Sequence, residues 1–308
     1  MIKYALFFLL FSLQCYAGIE NQYRKLENKK GCVAPRNIDY VYMINLDQRP
    51  EKWNRSSLQL SPFGIIPERF PGIYGWTLQP DVLNDMGLKF QHGMWTGREY
   101  VMVFPPDKNG EYEFIFLNGA CYGKACFSGW TVKGTIGCTL SHLSVFKDAY
   151  DSGYQTIWVM EDDIVVVEDP HRLSAVIEDL DALVGSDGWD VLYTDYDCLF
   201  VDKEKDLASQ IPLKWRPDMP FLNIQYLIEH QDMGEKFVKI GSRNRAHSII
   251  YRRSGLQKIM DFYKTHDNFL PFDEEISLIP GMRLFVVKKS IVSYHEITSD
   301  TRYRYFNK

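Results

Sequence analysis

Residues 156–163 read Thr-Ile-Trp-Val-Met-Glu-Asp-Asp, and this stretch places an acidic turn directly after a short apolar run. The run from Thr156 to Met160 predicts a strand that is buried on both faces, as in a parallel sheet. Three adjacent carboxylates repel one another, and a divalent cation bound to phosphate oxygens would offset that repulsion. A solvated acidic turn is the alternative interpretation. The stretch therefore favours an α/β protein with a ligand site at the carboxyl end of a strand.

The sequence before and after this stretch alternates between strand and helix patterns. Apolar residues spaced three and four apart predict a helix over residues 139–150, and residues 190–194 predict the next strand. An earlier strand is predicted at residues 40–46, followed by a helix that begins near Pro50. Residues 101–117 predict a β-hairpin, which we interpret as an insertion. Together these patterns predict one Rossmann-like, mainly parallel sheet flanked by helices.

The C-terminal third continues the alternation. It predicts a strand at residues 248–251, a helix at residues 254–263 with Ser254 as its N-cap, and a last strand at residues 283–287. The Pro-rich segment 212–231 is irregular and predicts a surface loop or lid.

The composition excludes several classes of protein. The chain has 308 residues, of which 45% are hydrophobic and 15% aromatic, so it is neither disordered nor of low complexity. Lys and Arg number 35 against 40 Asp and Glu, which gives a net charge of −5. The absence of a long run of basic residues argues against nucleic acid as the main partner, because phosphate binding needs clustered cations. An acidic protein with a phosphorylated substrate is expected to need a metal ion.

The N-terminus has the pattern of a secretory signal peptide over residues 1–17. Lys3 precedes a ten-residue apolar run, and small residues stand before Gly18. A retained anchor or a buried first helix is the alternative. We interpret residues 18–38 as a lead-in segment and residues 39–308 as the main domain. The expected product is an exported protein, in a periplasm, the extracellular space or an endoplasmic reticulum lumen, with no transmembrane span in the mature chain.

Five of the six cysteines follow the predicted signal peptide, so at least one thiol is free or pairs with another chain. Cys121 and Cys126 flank a four-residue loop and are candidates for a disulfide in an exported protein. The sequence leaves open whether they are bonded. It contains no Cys-x-x-Cys pair, which argues against a structural zinc site.

Three stretches occur in a recognisable order: residues 41–49 (Val-Tyr-Met-Ile-Asn-Leu-Asp-Gln-Arg), 134–142 (Gly-Thr-Ile-Gly-Cys-Thr-Leu-Ser-His) and 157–164 (Ile-Trp-Val-Met-Glu-Asp-Asp-Ile). Together they resemble glycosyltransferase family 25, the lipopolysaccharide and collagen galactosyltransferase-like group. The resemblance implies a GT-A-like nucleotide-diphospho-sugar transferase fold for residues 39–308. It also implies transfer of a hexose, galactose or glucose, from a UDP-sugar donor to a hydroxyl of a glycan or glycoprotein acceptor.

The resemblance also implies which residues form the site. The residues expected at the donor are Asn45, Asp47, Arg49, Gly137, Ser141, His142 and Asp162. The expected ligands of Mn²⁺ or Mg²⁺ are Glu161, Asp163 and His295. Alternatives exist for two of these groups: Gly137 and Cys138 suit a tight turn into a helix, and a lone helical histidine is often a hydrogen-bonded core residue. The sequence departs from the family where a second arginine is usual, because Glu51-Lys52-Trp53 stands there.

A general base for the acceptor hydroxyl is expected among carboxylates that the metal does not use. Asp273 follows the rigid apolar run Leu270-Pro271-Phe272 and is the predicted catalytic base. A helix N-terminus with favourable negative charge is the alternative interpretation. The alternative function is a secreted carbohydrate-binding or effector protein without turnover.

Overall fold

The structure, a computed structural model, describes residues 19–96, 100–104, 113–196, 215–219, 224–295 and 299–301. Its strands are β1 Tyr40–Asn45, β2 Glu68–Pro71, β3 Leu88–Lys89, β4 Val101–Phe104, β5 Glu113–Ile115, β6 Ala125–Ser128, β7 Thr156–Glu161, β8 Ile164–Val166, β9 Val191–Tyr193, β10 His230–Asp232, β11 Phe237–Ile240, β12 Ser248–Arg252, β13 Leu284–Val287 and β14 Val292–Tyr294. Its α-helices are α1 Pro50–Leu60, α2 Pro80–Met86, α3 Lys133–Asp151, α4 Arg172–Val184, α5 Ile224–Leu227, α6 Arg253–His266 and α7 Phe272–Glu275.

The main sheet has eight strands in the order β10-β11-β13-β9-β12-β7-β1-β2. Strand β1 is parallel to β2 and β7, and β9 is parallel to β13. Strands β12 and β11 are antiparallel to both of their neighbours, so the other six of the eight strands share one direction. The predicted α/β class with a mostly parallel sheet flanked by helices is confirmed.

Strand β7 is buried on both faces, as its apolar sequence predicts. Ile157 and Val159 belong to one core cluster, whose other members include residues of α3 and α6. Trp158 and Met160 belong to a second cluster, which α4 covers with Leu173, Ile177 and Leu180. Because side chains alternate along a strand, these two clusters lie on opposite faces of the sheet. The result is a three-layer α/β arrangement that leaves only the ends of β7 for polar residues.

Helix α3 begins at Lys133, six residues before the predicted start, because its first turns carry glycine where apolar spacing was expected. The glycines allow backbone to pack on backbone. A Cβ on Gly75 would lie 1.8 Å from the Lys133 carbonyl oxygen, and a Cβ on Gly137 would lie 2.5 Å from the Gly75 nitrogen. The loop that carries Gly75 is therefore pressed against the N-terminal turns of α3, and this contact fixes one wall of the cleft described below.

The predicted hairpin is present as β4 and β5, whose residues 101–103 and 113–115 pair antiparallel. Its turn lies outside the described residues. The insertion is larger than predicted, since β3 and β6 extend it to a four-stranded antiparallel sheet in the order β3-β6-β4-β5. These two strands are short and are separated in sequence by the hairpin, so no local pattern joined them.

The candidate disulfide is wrong, because Cys121 and Cys126 are both free thiols in the structure. Cys121 ends a 3₁₀ turn, whereas Cys126 lies in β6, where its thiol donates to the Leu88 carbonyl oxygen at 3.3 Å. Both side chains are fully buried, and burial raises the pKa of the Cys126 thiol to about 12. The two residues pack in the core of the insertion rather than cross-linking it.

Because Cys121 and Cys126 are not bonded, a reducing agent should leave the thermal unfolding curve unchanged. Loss of a native disulfide costs typically about 2–5 kcal/mol, which differential scanning fluorimetry resolves easily. The Cys121→Ser variant in the absence of reductant is the matched control. A fall in melting temperature on reduction that this variant abolishes would show that the pair is bonded after all.

Two further local predictions are wrong. The described part of segment 212–231 is not a surface loop throughout, because Trp215 is only 8% and Arg216 only 1% exposed. Arg216 is held by Glu275, which explains how a cation can be buried there. Helix α6 begins at Arg253, and Ser254 does not cap it but donates to the Asp190 carboxylate at 2.7 Å.

The predicted signal peptide lies outside the described residues. Part of the lead-in segment packs on the domain: Ile19 is buried, and the Arg24 guanidinium donates to the carbonyl oxygens of Pro71 and Gly72, each at 3.1 Å. Within the described ranges, no helix combines the length and the apolar character needed to cross a bilayer.

Candidate active site

The acidic turn lies at the carboxyl end of β7, beside the end of β1. The parallel register pairs Ile44 with Glu161, so Asn45 comes opposite Asp162. The side-chain nitrogen of Asn45 donates to the Asp162 carboxylate at 2.7 Å. The side-chain oxygen of Asn45 accepts from the Arg69 guanidinium at 2.8 Å. The predicted donor residues Asn45 and Asp162 are therefore in contact, and Asn45 orients the carboxylate from the neighbouring strand.

Helix α1 supports the same turn from the other side. The Ser56 hydroxyl donates to the Asp162 carbonyl oxygen at 2.7 Å, and the Lys52 ammonium lies 3.9 Å from the Asp162 carboxylate. Burial raises the pKa of Asp162 to about 6, although Asn45 and Lys52 oppose the shift. A carboxylate with a raised pKa gains from any cation that comes close to it.

Glu161 faces helix α3. Its carboxylate lies 3.1 Å from His142 Nε2 and 3.6 Å from the Cys138 sulfur, one helical turn apart on α3. Burial raises the pKa of Glu161, but the contacts with His142 outweigh burial and lower it below its ordinary value. Burial also raises the pKa of Cys138, so this thiol is neutral at physiological pH and a poor nucleophile. His142 stacks on Phe272 at 4.4 Å, which holds the imidazole in place.

Asp163 differs from its neighbours because part of its carboxylate is left without a partner. Burial, with the charges of Glu161 and Asp162, raises the pKa of Asp163 to about 7. Its Oδ1 atom is buried and has no hydrogen-bond partner among the described residues. The backbone N–H of His295 donates to the Asp163 carbonyl oxygen at 2.8 Å, which places the exposed His295 next to the turn. A divalent cation would satisfy the Asp163 oxygen and relieve the repulsion within the turn.

Ligand-type side chains also meet in a second combination. Cys138, His142 and Glu161 bring their ligand atoms within 4.8 Å of one another. This set shares Glu161 with the predicted set of Glu161, Asp163 and His295, but its sulfur and nitrogen ligands are softer than those that Mn²⁺ or Mg²⁺ prefers. The predicted ligand set stays a prediction.

A cleft opens in front of the turn. It is lined by Ile44, Leu46, Lys52, Ile73, Tyr74, Gly75, Gly134, Cys138, Ser141, His142, Glu161, Asp162, Asp163, Ser299, Asp300 and Thr301. Of the residues predicted from the sequence, the cleft brings together Ser141, His142, Glu161, Asp162 and Asp163. The predicted residues that are not among its lining are Asn45, Asp47, Arg49, Gly137, Asp273 and His295.

Three of these predicted residues have evident structural contacts. Ser141 donates to the Gly137 carbonyl oxygen at 2.7 Å and accepts from the Ile73 N–H at 2.8 Å, which ties α3 to the cleft wall. Asp47 is 65% exposed and pairs with Arg69 at 2.9 Å. Gly137 permits the close approach of Gly75 described above.

Sequence reasoning missed Lys52 as a site residue. Lys52 is only 5% exposed, and its ammonium lies 2.5 Å from Asp300 Oδ2. The other oxygen of Asp300 pairs with Arg49, whose Nε also donates to Glu51 at 2.6 Å. The signal was present in the sequence, because Lys52 lies in the segment where the family usually has its second arginine.

Asp273 lies in the first turn of α7 and is half-buried. Its carboxylate accepts the backbone N–H of Arg245 at 2.5 Å, and Arg245 has the unusual φ of 74°. The carboxylate therefore supports a strained loop residue, which adds a structural role to the predicted catalytic one. The assignment as catalytic base stays a prediction.

Asp195 follows β9, and its carboxylate lies in a buried network. Its carboxylate accepts from Arg243 at 2.6 Å and from Ser293 at 3.0 Å, and it lies 3.0 Å from His247 Nε2. Burial raises the pKa of Asp195, but His247 and Arg243 outweigh burial and lower it to about 2. This carboxylate stabilises the fold beneath the acidic turn, since the His247 carbonyl oxygen accepts the Glu161 N–H at 2.9 Å.

The stability that Asp195 contributes should depend on pH in a defined direction. Because its pKa is lower in the folded than in the unfolded chain, the contribution is present above about pH 4 and is lost as the pH falls through about 2. It amounts to about 2 kcal/mol. Urea unfolding of Asp195→Asn should show a smaller loss of stability between pH 4 and pH 2 than the unchanged protein. An equal loss in both proteins would contradict the assignment.

Residues 38–182, which span β1 to α4, match the model of glycosyltransferase family 25, described as LPS biosynthesis protein. The predicted resemblance to glycosyltransferase family 25 is confirmed over these residues. The match includes the acidic turn, Lys52 and the glycine-rich start of α3, and ends before α6 and α7.

The relatives of this region include proteins named as transferases and a protein named as inactive. A glycosyltransferase 25 family member of Aedes aegypti is 28% identical over 168 residues, covering 54% of this chain and 23% of that protein. Procollagen galactosyltransferase 1-A of Xenopus laevis is 22% identical over 192 residues, covering 62% of this chain and 26% of the relative. The inactive glycosyltransferase 25 family member 3 of Homo sapiens is 25% identical over 158 residues, covering 51% and 21%. The aligned region thus spans about a quarter of each relative's length.

Proposed function

We propose that the chain transfers a hexose, galactose or glucose, from a UDP-sugar to a hydroxyl group of a glycan or glycoprotein, and that transfer requires Mn²⁺ or Mg²⁺. The observation that carries the proposal is a buried oxygen of Asp163 that has no partner among the described residues, in a turn that follows a strand and lines a cleft. The match to the family model supports glycosyl transfer, and the name of the Xenopus relative favours galactose. We extend the proposal to a GT-A-like fold, which the α/β sheet and the acidic turn support.

The residues present fit a hard divalent cation. Asp163 would hold it, with Glu161 and His295 as the further candidates, and the ion would stabilise the negative charge of the departing diphosphate. The chain itself prepares the turn: Asn45 and Ser56 fix Asp162, and His142 fixes Glu161. Asp273 would accept the proton of the acceptor hydroxyl.

The exported location expected from residues 1–17 remains part of the proposal. An endoplasmic reticulum lumen contains nucleotide sugars, whereas a periplasm normally does not, so the compartment bears on turnover. A secreted carbohydrate-binding or effector protein is the second candidate, favoured by the inactive human relative. The three adjacent carboxylates argue for activity, since a protein without turnover gains nothing from their mutual repulsion.

The test is hydrolysis and transfer by the purified chain with a panel of nucleotide sugars that includes UDP-galactose and UDP-glucose, with Mn²⁺ and with EDTA. We expect release of UDP from one of these donors with Mn²⁺ and none with EDTA. Binding of a glycan together with no binding of any nucleotide sugar would support the second candidate instead. Equal turnover in EDTA would contradict the metal requirement alone.

A further inference from the structure

We propose that Arg49 and Lys52 form a contact for a phosphate of the donor, and that Asp300 occupies this contact when no donor is bound. Residues 299–301 and the donor diphosphate would then compete for the same two cations. The inference rests on the proposed function for the identity of the donor, but the competition itself requires only a phosphate group.

The two cations come from the start of one helix. Arg49 immediately precedes α1, and Lys52 lies in its first turn, where the helix dipole adds positive potential. Both side chains reach the same carboxylate: Arg49 pairs with Oδ1 of Asp300, and Lys52 lies 2.5 Å from Oδ2. Two cations that grip the two oxygens of one carboxylate have the arrangement that also suits two oxygens of a phosphate.

The segment that carries Asp300 lies along the cleft itself. Ser299, Asp300 and Thr301 all line it, together with the acidic turn. The Trp76 indole donates to the Asp300 carbonyl oxygen at 3.0 Å, and a Cβ on Gly134 would lie 2.4 Å from the Thr301 carbonyl oxygen. The segment is thus fitted between the loop of Trp76 and the N-terminal turns of α3, in space that a ligand of the cleft would need.

The burial of Lys52 favours replacement of the Asp300 carboxylate by another anion. The Lys52 side chain is only 6% exposed, and among the described residues its ammonium lies 2.5 Å from the Asp300 carboxylate and 3.9 Å from the Asp162 carboxylate. A buried charge that loses its close partner costs several kcal/mol. An incoming phosphate replaces one anion with another at the same cations, and so avoids this cost. Asp300 therefore keeps the contact neutralised until a phosphate arrives.

The net charge of the cleft also favours displacement of Asp300 when a diphosphate binds. Among the described residues that line it, Lys52 is accompanied by four carboxylates, those of Glu161, Asp162, Asp163 and Asp300. With Asp300 in place, a diphosphate would meet an excess of negative charge even beside a divalent cation. With Asp300 displaced, one negative charge leaves the cleft, and the phosphate takes the place of the Asp300 carboxylate beside Lys52 and Arg49.

The experiment compares the affinity for UDP of the unchanged chain and four variants by isothermal titration calorimetry in Mn²⁺. Asp300→Asn should bind UDP about tenfold more tightly than the unchanged chain, because the competing charge is gone. Lys52→Met should bind at least tenfold more weakly, and in the Asp300→Asn/Lys52→Met double variant the gain from Asp300→Asn should disappear. Glu51→Gln is the matched control, since it also removes a carboxylate bound to Arg49 but one that is 62% exposed; its affinity should stay within twofold.

Unchanged or weaker binding by a folded Asp300→Asn protein would overturn the proposal, because Asp300 would then be neutral toward the donor or would itself bind it. A gain in Glu51→Gln equal to that in Asp300→Asn would overturn it as well, since a general charge effect would explain both. Hydrogen–deuterium exchange in peptides that contain residues 299–301 should rise when UDP binds the unchanged chain. Unchanged or slower exchange would contradict displacement.

Inorganic pyrophosphate separates this proposal from the proposed function. If no nucleotide sugar binds but Asp300→Asn still tightens pyrophosphate binding, the proposed function fails and the competition stands. If the unchanged chain turns over a UDP-sugar and Asp300→Asn affects neither ligand, the function stands and the competition fails.

Discussion

Asp163→Asn is expected to weaken binding of a UDP-sugar in the presence of Mn²⁺ by at least about 100-fold, which corresponds to about 2.7 kcal/mol. The carboxylate removed would lie about 2 Å from a divalent cation, and a full charge at that distance contributes several kcal/mol even after solvent screening. Isothermal titration calorimetry with Mn²⁺ and with EDTA measures the effect. The difference between the two conditions should nearly vanish in the variant.

The fold should tolerate this substitution. Asparagine keeps the shape of the side chain, and the contact between the Asp163 carbonyl oxygen and the His295 N–H is a backbone contact. Loss of the charge also relieves repulsion from Glu161 and Asp162. Asp261→Asn, on the exposed face of α6, is the matched control and should bind the donor normally. Undiminished, Mn²⁺-dependent affinity in Asp163→Asn would remove Asp163 from the metal site.

The fold was predictable where local pattern and burial coincide. The apolar run before Glu161 marks β7 because both faces of that strand are buried, and Pro50 marks the start of α1 because proline fits the first turn of a helix. The four-stranded insertion was not predictable in full, since β3 pairs with β6 across about 35 intervening residues. Pairing at that separation depends on tertiary packing rather than on the pattern of either strand.

In the candidate site, contiguous motifs were predictable and long-range contacts were not. The acidic turn and the start of α3 are contiguous motifs, so the sequence located both of them. The contact of Lys52 with Asp300 joins residues 248 positions apart, and no local spacing indicates it. Asp300 does not stand out in the sequence, because a single carboxylate can have many structural roles. What the sequence did not reveal is which charges neutralise one another inside the cleft.

Asp273→Asn should lower turnover by about 100-fold or more if Asp273 is the general base, with donor affinity unchanged. The structure offers a competing role, because the Asp273 carboxylate accepts the N–H of Arg245 at 2.5 Å. An asparagine side chain still carries a carbonyl oxygen that can accept this hydrogen bond, but it cannot take a proton from an acceptor hydroxyl. The substitution therefore removes the chemical role while the structural one is retained.

Asp273→Ala completes the comparison, since alanine removes both roles. If Asp273 only supports Arg245, Asp273→Asn should keep nearly full turnover and lose under about 1 kcal/mol of stability, while Asp273→Ala loses more because the N–H at a strained residue is left without its acceptor. If Asp273 is the base, both variants lose turnover and Asp273→Asn unfolds at the temperature of the unchanged chain. Turnover of the UDP-sugar with acceptor, measured beside thermal unfolding and with Asp261→Asn as control, separates the two cases. Full turnover in Asp273→Asn would reject the base assignment and direct the search to Glu274, because Glu275 is bound to Arg216 and Asp195 to Arg243 and His247.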